Sequence, residues 1–106
     1  MLGRFDLRPG IDDADFRAAY ALFATRLKAE GLIASAGPMG RREADTPMDT
    51  DAPGMPEYFA IMSFRDRRQL DAAYARFKAS ISGHEAVLAG VRNSIFTCWR
   101  DLDQQG

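Results

Sequence analysis

Apolar residues recur along this chain in two distinct periods. Phe16, Ala19, Tyr20, Phe23 and Leu27 step by three and four positions, which makes one stripe of an α-helix. Leu70, Ala73, Tyr74, Phe77 and Ile81 repeat the same offsets. The hexapeptides AAYALF (Ala18–Phe23) and AAYARF (Ala72–Phe77) lie inside these stripes, about half the chain apart. Both helices carry start signals. Asp12 is placed to cap the first by accepting from the Asp15 amide, with Ile11 and Phe16 as a hydrophobic staple. Gly31 supplies a left-handed C-terminal residue, and Leu32 folds back toward Leu27. Asp66 with Gln69 opens the second helix.

Other stretches alternate. In GRFDLR, Phe5 and Leu7 point one way, Arg4 and Asp6 the other. EYFAIMSF is apolar on both faces, as in a strand covered on both sides. IASAGPMGRR reads as a weaker strand, and its Gly37-Pro38 suits a sheet edge. SIFTCWRD, rich in β-branched and aromatic residues, reads as a last strand. Between strands two and three, residues 43–56 hold three prolines and four acids, a long solvated loop expected to be mobile or to lie over a cavity mouth. Ser82 and Glu85 form a capping box for a short helix through Val87, Leu88 and Val91.

The resulting order, β-α-β-β-α-(α)-β, is the split βαβ of a ferredoxin-like α+β fold, a single domain over residues 1–106. Its two halves are related by a pseudo-two-fold, so two similar helical stripes lie side by side on one face of a four-stranded antiparallel sheet. Parity then assigns the strands. Tyr58, Ala60, Met62, Phe64, Phe96 and Cys98 face the helices; Phe59, Ile61, Ser63, Ile95, Thr97 and Trp99 face away with Arg4 and Asp6. A face carrying Phe59, Ile61, Ile95 and Trp99 is too apolar to stay in water. A second copy of the chain is the simplest cover, because a two-fold axis uses one patch twice.

Composition changes this picture only by exclusion. With 46 % hydrophobic and 27 % charged residues, a chain of 106 residues can bury a core without staples. The net charge of −1 gives no drive toward nucleic acid or anionic membrane. One cysteine and one histidine make neither an internal disulfide nor a Cys/His zinc site. Asp45, Asp49 and Asp51 match no calcium-loop pattern, so no metal or other cofactor is expected. The N-terminal residues lack a signal-peptide pattern and no run approaches 18 apolar residues, so a cytoplasmic location is the default expectation.

The layout resembles the dimeric α/β-barrel superfamily, in which two ferredoxin-like sheets meet face to face. FDLRPG, LKAEGLI and VRNSIFTCWRD are similar to an uncharacterised bacterial family of chains about this long, a likeness that covers nearly the whole sequence. The resemblance implies a homodimer. It constrains chemistry little, since the superfamily spans cofactor-independent monooxygenases, isomerases, haem-degrading and haem-dependent enzymes, and plain ligand binders.

Six residues are candidates for a site. His84 is the one side chain that titrates near neutrality, so it is the natural acid–base candidate; Asp6 is the other proton carrier. Arg4 can meet Asp6, a ligand carboxylate or an enolate. Phe59, Ile61 and Trp99 offer apolar walls for a small organic ligand between sheet and partner. Three readings follow: a homodimer binding a small apolar molecule, a cofactor-independent monooxygenase or isomerase of aromatic or polyketide-like substrates, and a purely structural dimer. Whether the chain is an enzyme stays open at this stage.

Overall fold

The structure, a computed structural model, describes residues 1–79 and 84–103. The elements run β1 (Leu2–Leu7), α1 (Asp13–Ala29), β2 (Ser35–Arg41), β3 (Tyr58–Ser63), α2 (Arg67–Lys78), α3 (His84–Ala89) and β4 (Val91–Thr97). The strands form one antiparallel sheet in the order β2-β3-β1-β4, the ferredoxin-like arrangement, with the helices on one side. No described helix is long and apolar enough to cross a membrane.

The caps are local consequences of the residues present. Asp12 accepts from the Ala14 amide, one residue earlier than expected from spacing. At the other end of α1, Gly31 takes φ 73°. The Leu32 amide then donates to the Leu27 carbonyl at 2.9 Å and the Gly31 amide to Lys28 at 3.0 Å, the paired bonds of a Schellman ending. Asp66 accepts from the Gln69 amide at 2.8 Å to start α2.

Phe5, Ala60, Met62 and Val91 of the sheet pack against Phe16, Phe23, Ala24 and Leu27 of α1, Ala73 of α2 and Val87 of α3. The Phe5 and Phe16 rings lie 5.3 Å apart. Ile11 stays exposed, so the expected staple does not close. The second stripe is also turned from its predicted face. Gln69 and Ala73 are the buried residues of α2, while Tyr74 stands in solvent with the Lys78 ammonium over its ring. Gln69 goes inward because both ends of its amide find partners: Oε1 accepts from the Arg65 N–H at 2.6 Å, and Nε2 donates to the Gly31 carbonyl at 3.0 Å. Ile81 and Ser82 lie outside the described residues.

Strand β4 departs most from a simple alternation. Its register with β1 pairs Ile95 with Arg4 but Arg92 with Asp6, so three residues of β4 span two of β1. This bulge, with Asn93 at φ 55°, lets both Val91 and Phe96 face the helices although their numbers differ in parity. Val91 opens the strand instead of ending the short helix. The ladder stops at Thr97, leaving Cys98 exposed and not inward as parity suggested.

Candidate functional site

The sheet face away from the helices is built from two cross-strand rows. Gly40, Phe59, Arg4 and Ile95 are successive neighbours across β2, β3, β1 and β4. Ile61, Leu2 and Thr97 form the next row. The predicted parity of Arg4, Phe59, Ile61, Ile95 and Thr97 is therefore what the register gives. The Phe59 ring lies directly over Gly40; a Cβ there would sit 2.9 Å from Phe59 Cζ. Glycine at this position is what lets the ring lie flat along the sheet. Trp99 follows β4, 77 % exposed, and its indole N–H donates to Thr97 Oγ1 at 2.7 Å, which ties it to the same side.

The loop of residues 43–56 does not float free. It carries Asp51 back onto this face, where Arg4 Nη2 donates to Oδ2 at 2.9 Å and Arg42 Nη1 to the same oxygen at 2.7 Å. Arg42 Nη2 also contacts Asp51 Oδ1, and Asp49 lies 3.3 Å from Arg42. The Arg42 guanidinium, helped by that of Arg4, holds the Asp51 carboxyl far below the usual carboxylate range; reciprocally, Asp51 pushes the Arg42 pKa up. Between loop and sheet lies an open groove of about 360 Å³, bounded by Arg4, Arg42, Met48, Asp51, Pro56 and Phe59.

Other sequence-predicted residues fall elsewhere. Arg4 and Asp6 share the face but do not pair. Asp6 Oδ1 accepts from the Glu57 amide at 2.9 Å, and Oδ2 from Asn93 Nδ2 at 3.1 Å. These hydrogen bonds, the Glu57 one first, lower its pKa; the carboxylate anchors the loop's end to the bulge of β4. His84 lies on the opposite side of the sheet, in a triangle of rings with Phe23 at 5.5 Å and Phe77 at 5.0 Å. Burial lowers its pKa, opposed in part by the charge of Glu85. The acid–base candidates His84 and Asp6 are thus not brought together with Arg4.

Asp51 enters the sequence reading only through a calcium-loop pattern that it does not match; nothing local marks it as an arginine partner, since its partners stand 47 and 9 positions away. The adjacent Arg41 and Arg42 part at the end of β2. Arg41 turns to the Tyr58 ring and Glu57, while Arg42 reaches the groove. Leu2, in the second row, escaped notice for want of a strand assignment.

No family model and no curated protein matches the chain. Among solved structures, it is similar to the crystal structure of At3g17210 from Arabidopsis thaliana, with a TM-score of 0.69 and 8 % identity over 98 % of this chain and 95 % of that one. At that identity the likeness speaks for the fold alone.

Proposed function

We propose that the chain is a homodimeric α/β-barrel protein, two sheets meeting through the rows that contain Phe59, Ile61 and Ile95, and that the groove beside them binds a small, largely apolar organic molecule. One observation carries this reading: the sheet has helices on a single side, and its other side presents an apolar surface. The radius of gyration is 14.6 Å, against about 13 Å for a compact domain of this length. The chain, at 11.7 kDa, exposes 7619 Å², whereas folded monomers of that mass expose roughly 5,900 Å². The exposed Cys98 thiol suits a reducing compartment such as the cytoplasm. An enzymatic reading gains no such support, since His84 and Asp6 are engaged apart from each other.

The uncharged fluorophore phenylnaphthylamine tests the binding half of the proposal. Titration should give saturable fluorescence with wild-type protein, weakened by Phe59→Asp. Absence of saturable binding would remove the ligand and leave only a packed dimer.

A further inference from the structure

Arg4 is a cation set in the middle of an apolar row, between Phe59 and Ile95. A charge there needs a counter-charge, and the sheet supplies none, because Asp6 is committed to Glu57 and Asn93. The balance comes from the loop. Two guanidinium groups on separate segments, Arg4 from β1 and Arg42 from just beyond β2, converge on a single carboxylate, with three hydrogen bonds to its two oxygens. This is how arginines hold a carboxylate or similar oxyanion of a ligand. Here the oxyanion belongs to a tether of the chain itself, and the groove beside it is walled by Met48, Pro56 and Phe59.

We infer that Arg4 and Arg42 form the recognition site for the acid group of an amphiphilic organic anion, and that Asp51 occupies that place until the anion displaces it. The inference rests on reading the groove as the ligand site and adds the ligand's chemical class. Charge supports a monoanion. With Asp51 withdrawn, Asp49 still balances Arg42 and Glu57 is paired with Arg41, which leaves the charge of Arg4 for the ligand to neutralise. The apolar body of the ligand would lie along Phe59 and Met48. The Arg4 and Asp51 side chains are 30 % and 31 % exposed, so water reaches the pair and exchange of one anion for another is open to it. Binding of the anion and release of Asp51 are then the same event.

Anilinonaphthalenesulfonate and its uncharged parent phenylnaphthylamine differ by the acid group and serve as the paired probes. Asp51→Asn removes the competing charge with little change of shape. It should tighten sulfonate binding by about tenfold while leaving the neutral probe unchanged, and adding Arg42→Met should abolish that gain. Unchanged or weaker sulfonate binding in Asp51→Asn, with the neutral probe still binding, would overturn the anion site and leave the groove. A sulfonate gain with no binding of the neutral probe would keep the anion site and refute the apolar groove. A second measurement needs no variant: amide hydrogen exchange over residues 50–55 of the wild type should speed up under saturating sulfonate. Slower or unchanged exchange there would overturn the displacement.

Discussion

Gln69 gives the sharpest test of how the helical layer is held. It is 5 % exposed and joins two chain segments that are far apart in sequence. Its Oε1 accepts from the Arg65 amide at the threshold of α2, and its Nε2 donates to the carbonyl of Gly31 in the Schellman turn of α1. Replacing it with methionine keeps nearly the same volume and removes both bonds. Each orphaned backbone group costs about 1–3 kcal/mol when fully buried, and these two are only partly buried, so the low end applies. Gln69→Met should therefore destabilise by about 2 kcal/mol, equivalent to a fall in melting temperature of roughly 8 °C or more for a domain this size. Gln69→Ala should cost more, since a cavity is added to the lost bonds. Circular-dichroism melts at one fixed protein concentration measure both, the concentration held because association shifts the midpoint. A Gln69→Met protein melting within about 2 °C of wild type would mean that water satisfies both backbone groups and the bridge is idle.

The phenylalanines of the two mirrored stripes should not be equivalent: Phe23 is fully packed and Phe23→Ala should cost about 3–5 kcal/mol, while half-buried Phe77 should cost about half as much, as read from urea unfolding. Because folding depresses the His84 pKa, its contribution is present above the unfolded value of 6.5 and is lost as pH falls through the folded one. Melting temperature should accordingly drop as pH falls below the unfolded value of 6.5, and His84→Phe should flatten that drop; an identical slope in the variant would assign it to carboxylates. Gly40→Ala should displace the Phe59 ring, destabilise by about 1–2 kcal/mol and weaken phenylnaphthylamine binding; unchanged binding would show that the ring is no part of the site.

The fold was legible because its signals are local and agree with one another. Asp12, Gly31 and Leu32 bracket α1 by short-range bonds, and the alternation through Phe5 and Leu7 needs only a pleat. What escaped depended on longer-range choices. Tyr74 lies on the apolar stripe by spacing, yet α2 turns Gln69 inward because two distant backbone groups await its amide. Cys98 follows the parity of Phe96, but parity has no meaning once the ladder ends at Thr97. The bulge at β4 leaves little mark in composition, since asparagine at positive φ is tolerated and not required. For the site, Arg4, Phe59 and Ile61 were readable from strand alternation. Asp51 was not, because a loop residue acquires its partner only through the path of the whole loop.

Everything proposed about function starts from the claim that the open sheet face is covered by a second copy. Sedimentation equilibrium of the wild-type chain across micromolar concentrations tests it most directly. A species of twice 11.7 kDa is expected. A single species of 11.7 kDa throughout that range would contradict it, and would leave the ferredoxin-like subunit with its apolar rows in water.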